Sequence, residues 1–197
     1  MASNEILAVY ALASAADRAD GMAWYGVANA VAAEISDRYG VSMVQAIGVI
    51  AALSPRNRWE RNVLDAENMV QAYVAGGAEA AQATKCCTFG GNKAKAVQIL
   101  QLDDATEEAV LEILSGPKLR EFFCCINGWV AEVCIDGHAY SIWTGGRVTL
   151  ANVPSIGKKL RETIKADYRS AAREVGISPS QMQAVTWCAW RRIHEVV

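Results

Sequence analysis

The chain has 197 residues, of which 52% are hydrophobic, and its formal net charge is −2. This length can bury one good hydrophobic core, so we expect a single helical domain over residues 1–197. The weakly acidic balance excludes a surface coated uniformly in positive charge, and no apolar run approaches the ~20 residues that cross a bilayer. With no basic leader at its start, the protein is expected in the cytoplasm, or in the host cytoplasm if a phage encodes it.

The first quarter of the chain has helical periodicity. Apolar residues three and four apart predict helices over residues 3–18 and 22–39, and Gly40 is a stop signal after the second. Ser42 is a predicted N-cap for a very apolar helix that runs to Leu53. We expect this third helix to be central and buried.

The next segments are separated by proline and glycine signals. Ser54–Pro55 predicts a break, and Gly76–Gly77 predicts the end of the amphipathic helix that follows it. TFGGN predicts a loop after a further small helix, and residues 93–102 predict the helix beyond that loop. The face expected to be buried in the amphipathic helix consists of Trp59, Val63, Ala66 and Val70.

The second half of the chain is also predicted to be helical. Helices are expected over about 106–114 and 118–128, with a tight turn at Gly116–Pro117 between them. About five residues near 130–135 are predicted to be extended. Three final helices are predicted within HAYSIWTGG, IGKKLRETIKADYRSAAREVG and PSQMQAVTWCAWRRIHEVV, and the class is therefore all-α.

The six cysteines do not have metal-binding spacing. Cys86–Cys87 and Cys124–Cys125 are vicinal pairs, whereas Cys134 and Cys188 stand alone. A zinc or iron–sulfur site requires C-x2-C style spacing with further ligands nearby. We therefore expect reduced structural thiols, no metal and no cofactor.

Basic residues occur in short clusters. A single cluster is usually a solvated face, but recurrence at predicted helix starts and turns favours contact with nucleic acid. The clusters are Arg56, Arg58 and Arg61; Lys93 and Lys95; Lys118 and Arg120; and Lys158, Lys159 and Arg161.

Four segments follow one another in an order found in a known enzyme family: AIGVIAALSPRNRWERNVLDA, GGNKAKAVQIL, GPKLREFF and CIDGHAYSIW. Residues 46–136 thereby resemble the helix-hairpin-helix DNA glycosylases, which include endonuclease III and the adenine glycosylases. In that group an apolar helix, a lysine-bearing segment and a glycine hairpin precede an aspartate motif. The resemblance implies a glycosylase-like core at about 42–150, with N- and C-terminal helices packing on it.

The resemblance also implies catalytic residues. Asp136 matches the aspartate of the motif and Lys118 the Schiff-base lysine; the 18 residues between them equal five helical turns, as in endonuclease III-like members. Gly116 lies in the hairpin, where Leu114 replaces the first glycine of the family pattern. A nearer resemblance is to small uncharacterised phage proteins with ALSPRNRWERN, CIDGHA and QA-TW-WRR segments.

The implied chemistry assigns a role to each candidate. Breaking a base–sugar bond develops positive charge on the sugar, which a carboxylate such as Asp136 stabilises. Lys118 is the alternative nucleophile, and His138 contacts a phosphate or holds Asp136. Each has a structural reading as well: Asp136 as the N-cap of the helix HAYSIW, Lys118 as a solvated residue at a helix start, and His138 as a hydrogen-bonding residue in a first turn.

Further residues are candidates for nucleic-acid binding. A base turned out of its stack needs aromatic partners, for which the candidates are Trp59, Tyr140 and Trp143. Arg56, Asn57 and Arg58 either grip phosphate or a base edge, or tie the break to carboxylates such as Glu60 or Asp65. Lys93 and Lys95 belong to the lysine-bearing segment. The segment with Trp187, Cys188, Trp190, Arg191 and Arg192 is expected to be a final helix packing on the core.

Three functions stay open at this stage. The first is an enzyme that removes a modified or damaged base from DNA, with Asp136 as the essential carboxylate. The second is a phage base-hypermodification transferase of the same fold, acting on an activated hydroxymethyl pyrimidine in DNA. The third is a non-catalytic module that binds nucleic acid or nucleotides. DNA is the expected partner in the first two, and a membrane is not.

Overall fold

The structure is a computed structural model that describes residues 2–149 and 152–195. Within these ranges the chain forms ten α-helices and no β-strand, so the predicted all-α class is confirmed. The helices are α1 (Ala2–Ala11), α2 (Ala15–Tyr39), α3 (Met43–Leu53), α4 (Trp59–Ala83), α5 (Gly90–Leu100), α6 (Glu107–Ile113), α7 (Pro117–Ile126), α8 (Gly137–Thr144), α9 (Lys158–Val175) and α10 (Pro179–Ile193).

The described chain divides into two compact units, each with most of its residue contacts inside itself. Unit 1 consists of Met1–Val27 and Gly128–Val197, and unit 2 of Ala28–Asn127. The boundary at 127/128 lies inside the predicted glycosylase-like core of about 42–150. The single domain, that core and the packing of terminal helices on it stay predictions.

The first predicted helix boundary is wrong. Helix α1 ends at Ala11 and α2 begins at Ala15, whereas the sequence analysis placed the break after residue 18. Ser14 explains the earlier break, because its hydroxyl accepts from the Asp17 backbone N–H (3.1 Å) and its own N–H donates to Asp17 Oδ2 (2.8 Å). Gly21 does not break α2: a Cβ there would lie 2.4 Å from the Val185 Cα, so glycine allows close contact with α10.

Helix α3 is the centre of unit 2, as predicted. Its N-cap Ser42 forms a capping box with Gln45, and the helix ends at Leu53. Buried residues run from Gln45 to Leu53, and α3 contacts α4, α5, α6 and α7. Gly48 allows this crowding, since a Cβ there would lie 2.9 Å from Val110 and 3.0 Å from Ile99.

Helix α4 is interrupted where the sequence predicted an end. Gly76 (φ −146°) and Gly77 (φ 72°, ψ −164°) are non-helical, and Gly77 has a backbone conformation that favours glycine. Of the four residues predicted to form the buried face of α4, Ala66 and Val70 are buried. Trp59 and Val63 are only partly buried. The buried residues in the first part of α4 are Asn62, Asp65, Ala66, Met69 and Val70.

The starts of α6 and α7 agree with the predictions, whereas α5 begins earlier than predicted. TFGGN is only partly a loop, because α5 begins at Gly90 with Phe89 as its N-cap. Thr106 caps α6, and Gly116 (φ 106°) with Pro117 begins α7, as expected for this turn. Residues 130–135 form a turn followed by irregular chain, without a strand.

The core of unit 1 is formed by α1, α8, α9 and α10. Its largest fully buried side chain is Tyr168 of α9, which lies among Ile6, Ile135 and Ile142. Gly145 (φ 72°) ends α8 and Gly176 (φ 75°) ends α9, which confirms Gly176 as a stop. The predicted final helix packs on this core through Val185, Ala189 and Trp190.

Candidate functional site

Three cations on one face of α9 hold the irregular segment that leads to Asp136. Arg161, Lys165 and Arg169 are four residues apart and therefore share a helix face. Arg161 Nη1 donates to the Ile135 carbonyl (2.9 Å), and Arg169 Nε donates to the Ala131 carbonyl (3.3 Å). Lys165 Nζ is 2.8 Å from Glu132 Oε1, the oxygen that also accepts from the Val133 N–H. The backbone before Asp136 is thus fixed at three points.

Asp136 is the N-cap of α8, as the structural alternative predicted. Its Oδ1 accepts from the Ala139 N–H at 2.8 Å. The residue as a whole remains partly exposed, in contrast to the buried residues 133–135 that precede it. Its negative charge also acts on the buried Tyr168 hydroxyl: burial raises the pKa of Tyr168, and Asp136 adds to the increase. Asp136 therefore combines a fixed position with access to solvent.

One arginine and two histidines lie near one another around α8. His138 is the second residue of that helix, and Arg147 follows its end. Burial lowers the pKa of His194, and the charges of Arg147 and His138 act in the same direction. The His194 ring lies 4.0 Å from that of Trp190. Because a lowered pKa favours the uncharged imidazole of His194, the exposed Arg147 guanidinium is the permanent positive charge near this ring.

Tyr140 and Trp143, two of the predicted stacking residues, make packing contacts. Their rings are 6.0 Å apart, and both pack against the core of unit 1. Trp143 Nε1 donates to Asp167 Oδ2 at 2.7 Å. These contacts attach α8 to α9, and a role in stacking on a base stays a prediction for both residues.

In unit 2, a buried carboxylate organises the loop that the sequence analysis singled out. Asp65 is 0% exposed. Its Oδ2 accepts from Asn57 Nδ2 (3.0 Å) and from the Cys87 N–H (2.7 Å), and its Oδ1 accepts from Arg61 Nε (2.7 Å). Asn57 therefore ties the break to Asp65, as the alternative reading predicted.

The remaining basic residues of this region lie at its surface. Arg56 and Arg58 are exposed, and the Arg56 guanidinium lies 5.0 Å from the centre of the Phe89 ring. Lys93 is close enough to Cys86 to act on its thiol: burial and the charge of Asp65 raise the pKa of Cys86, while Lys93 and Arg61 oppose the increase. Lys95 lies in α5 and Trp59 is the first residue of α4; both are partly exposed.

Gly116 and Lys118 begin α7 in unit 2. Gly116 is the N-cap and Lys118 is a partly exposed residue in the first turn. The five-turn spacing from Lys118 to Asp136 is not one helical run, because α7 ends at Ile126 and the following residues form turns and irregular chain. Lys118 belongs to unit 2 and Asp136 to unit 1, and their pairing stays a prediction.

The structural roles of Phe89, Arg161 and Lys165 were missed by the sequence analysis, and Asp65 was named there only as one possible partner of the break. The burial of Asp65 had a signal, because Asn62 and Asp65 recur with Ala66 and Met69 at core spacing along α4. A polar side chain at such a position indicates a buried hydrogen-bonding centre. The partners of Arg161 and Lys165 lie about thirty residues away along the chain, and local patterns do not show them.

The predicted C-terminal helix is largely engaged in structure. Arg192 Nε is 2.8 Å from Asp17 Oδ2, and Arg191 lies 4.5 Å from the centre of the Trp187 ring. These residues line an open surface depression of about 290 Å³ together with Asp20 and Cys188. Arg192 is therefore a structural contact of α2 within unit 1.

Neither a metal-binding cluster nor a membrane-spanning helix is found among the described residues. All six cysteines are free thiols, and residues 2–149 and 152–195 contain no group of three or more histidine, cysteine or acidic residues arranged to hold a metal ion. Among the same residues, no helix combines the length and the hydropathy that crossing a membrane requires.

Comparisons with known proteins identify the family of the chain. No curated protein and no solved structure matches it. A family model does match, over residues 1–194, and its description is "family of unknown function (DUF7178)". Because the match covers nearly the whole length, the chain belongs to this family of unknown function, DUF7178.

Proposed function

We propose that the protein is a DNA base-processing enzyme that cleaves the N-glycosidic bond of a modified or damaged base, with Asp136 as its essential carboxylate. The observation that carries the proposal is that Asp136 is held in a fixed position and is still partly exposed. It is held by its own helix and by the α9 cations, yet it remains partly exposed. A carboxylate that served only as a cap would not need the three supporting contacts on the segment before it.

The reaction needs a fixed negative charge. As the bond between C1′ and the base nitrogen breaks, its electron pair leaves with the base and positive charge develops on the sugar. A carboxylate already in place stabilises that charge without reorganising at the moment of reaction. Asp136 also accepts a proton from the water that attacks C1′ and then releases it to solvent, from which the departing base takes up a proton. The products are an abasic site and the free base.

Arg147 supports an anionic substrate. Its guanidinium is exposed and lies close enough to His194 for its charge to help lower the pKa of that imidazole. A DNA phosphate bound by Arg147 would lie beside α8, the helix that Asp136 caps. The positive end of the α8 dipole acts in the same direction.

DNA binding by the basic residues of unit 2 is the second part of the proposal. Arg56, Arg58 and Lys93 are at the surface and are suited to phosphate contacts. Asn57 acts differently, since its amide group holds the loop by bonding to Asp65.

An abasic-site assay tests the proposal. DNA containing a panel of modified and damaged bases is incubated with the native protein and with Asp136→Asn, and strand breaks at abasic sites are measured after alkali. Asparagine caps a helix about as well as aspartate but cannot stabilise the sugar cation. We expect abasic product from the native protein and a loss of about a hundredfold or more in the variant.

The control is Asp103→Asn, which alters an exposed aspartate of unit 2 and should cleave at the native rate. No abasic product on any substrate would contradict base removal and would leave group transfer onto a pyrimidine, or binding alone, as the function. Equal product from native protein and Asp136→Asn would exclude Asp136 as the essential group.

A separate experiment tests Lys118. If its amine attacks C1′, the resulting Schiff base between Lys118 and the opened sugar is trapped by borohydride as a stable protein–DNA adduct. The adduct should disappear in Lys118→Ala and persist in Arg173→Gln, which alters an exposed cation of α9. Base removal without any trapped adduct would assign the reaction to hydrolysis through Asp136 alone.

A further inference from the structure

We propose that unit 2 has a platform for an unpaired nucleotide, formed by loop 54–58 and loop 84–89. The Phe89 ring and the Arg56 guanidinium provide the stacking surface, and Arg58 and Lys93 contact the phosphates on either side. The proposal rests on the proposed function only in taking nucleic acid as the partner. It goes further by assigning the unpaired state of the strand and a residue, Phe89, outside the chemistry at Asp136.

The first observation is an aromatic ring left at the surface. Phe89 is 53% exposed, although burying a phenylalanine side chain is strongly favourable. The next two residues are Gly90 and Gly91, and a Cβ on either would meet no atom within 4 Å. The ring is therefore half exposed, and no side chain of the next two residues covers it.

The second observation is the cation held against that ring. The Arg56 guanidinium lies 5.0 Å from the ring centre, within the range of a cation–π contact. Arg56 has a φ of 57°, a conformation that a non-glycine residue rarely adopts. Such strain persists only where the surroundings impose it, and it is concentrated at functional sites. An aromatic ring paired with a guanidinium plane is the surface on which unstacked bases bind.

The third observation is that the two loops are fastened together. Thr88 Oγ1 donates to the Pro55 carbonyl at 3.4 Å, and Cys87 Sγ lies 4.0 Å from the Arg56 carbonyl oxygen. Asp65 holds both loops from beneath, through the Asn57 side chain and the Cys87 N–H. The surface is therefore ordered before any ligand binds, which reduces the entropy lost on binding.

The fourth observation is that the segments around the two loops have a net positive charge. Residues 54–65 and 84–95 contain six of the 19 lysine and arginine residues and two of the 21 acidic residues, Glu60 and the buried Asp65. A chain of net charge −2 thus has a local excess of four positive charges in the segments that form and support the platform. This complementarity favours a phosphate backbone over a neutral or basic partner.

The aromatic ring distinguishes an unpaired strand from a duplex. Bases within a duplex are stacked on one another and present only their edges, so they cannot lie on a protein ring. Duplex binding through phosphates would use Arg58 and Lys93 but not Phe89. The ring therefore points to a base that is out of its stack, in a single strand or turned out of a helix.

Binding of labelled oligonucleotides to the full chain tests the proposal by fluorescence anisotropy. The probes are a mixed-sequence single DNA strand, its RNA counterpart and the matching DNA duplex. We expect the single strands to bind more tightly than the duplex. We expect Phe89→Leu to weaken single-strand binding about five- to a hundredfold, whereas Phe89→Tyr restores it. The DNA and RNA arms show which strand is preferred.

Charge variants separate stacking from phosphate contact. Arg58→Gln should weaken binding to every probe and reduce the slope of log K against log salt by about 0.7, the value for one phosphate contact on a single strand. Arg56→Asn removes the guanidinium while supplying a residue that tolerates positive φ. Arg173→Gln, at an exposed position of α9 in unit 1, is the matched control and should bind like the native protein.

Several outcomes would overturn the platform. They are no binding to any probe, equal binding of duplex and single strand, or unchanged affinity in Phe89→Leu with its unfolding midpoint intact. The assay does not depend on catalysis. A native protein that binds single strands through Phe89 but forms no abasic sites would retain the platform and refute base cleavage; the reverse result would refute only the platform.

Discussion

Asp65 in unit 2 and Asp136 in unit 1 have the same carboxylate side chain but differ in burial and in hydrogen bonding. Asp65 is completely buried and accepts three hydrogen bonds, from a side-chain amide, a guanidinium and a backbone N–H. Asp136 accepts one hydrogen bond, from a backbone N–H, and remains partly exposed. Asp65 is fully engaged in holding two loops, whereas Asp136 is held by its surroundings and remains accessible. The difference separates a carboxylate fully engaged in structure from the one that the proposed reaction would use.

Removing Asp65 should cause the largest effect on stability. In Asp65→Ala the Asn57 amide and the Cys87 N–H lose their buried acceptor, and Arg61 loses its ion-pair partner. We expect the free energy of unfolding to fall by about 3 kcal/mol, measured by urea denaturation. A decrease below about 1 kcal/mol would contradict the structural role assigned to Asp65.

Removing Lys165 should have the next largest effect, in unit 1. Its amine is buried and lies 2.8 Å from Glu132, so Lys165→Met leaves that carboxylate without its partner. We expect a loss of about 2–3 kcal/mol and faster amide exchange in the segment before Asp136. Adding Glu132→Gln should recover part of the loss, because no unpaired charge then remains. A double variant less stable than Lys165→Met would show that the pair is not coupled.

A third aspartate, Asp17, should make stability depend on pH. Burial opposes ionisation, but hydrogen bonds from Ser14 and Arg192 outweigh it and hold the pKa of Asp17 below its usual value. Its contribution is therefore complete above pH about 4 and is lost as the pH falls through the lowered folded value. We expect Asp17→Ala to cost about 1 kcal/mol at pH 7 and progressively less below pH 4. A cost that stayed constant down to pH 2 would exclude this linkage.

Changing Asp136 should have the smallest effect on stability. Asparagine keeps the cap, so Asp136→Asn should alter the free energy of unfolding by a few tenths of a kcal/mol, whereas Asp136→Ala should cost about 1 kcal/mol. The measurement is urea denaturation of both variants beside the native chain. If Asp136→Asn were as damaging as Asp65→Ala, the distinction between the two carboxylates would fail.

Local signals in the sequence predicted much of the fold. Ser42 with Gln45, Gly77 and Gly176 act through their own backbone or through residues a few positions away, and each was placed correctly. The Ser14–Asp17 box is also local, but the predicted boundary between residues 18 and 22 did not use it. The requirement at Gly21 comes from Val185, far along the chain, which no local pattern reveals.

The candidate sites were less predictable because their support is not local. The sequence identified Asp136 and its role as a cap, but not the Arg161 contact to the preceding carbonyl. It named Asp65 only as one possible partner of the loop, since the Cys87 N–H that completes the cluster is 22 residues away. Phe89 was read as part of a loop, and its exposure follows from how two segments of unit 2 meet.

The most direct test of the central claim is the single-turnover rate of abasic-site formation by Asp136→Asn on the substrate that the native protein cleaves best. The availability of this carboxylate predicts a rate at least about a hundredfold below native, in a variant whose unfolding midpoint is unchanged. A variant that forms abasic sites at the native rate would show that Asp136 is a helix cap and nothing more.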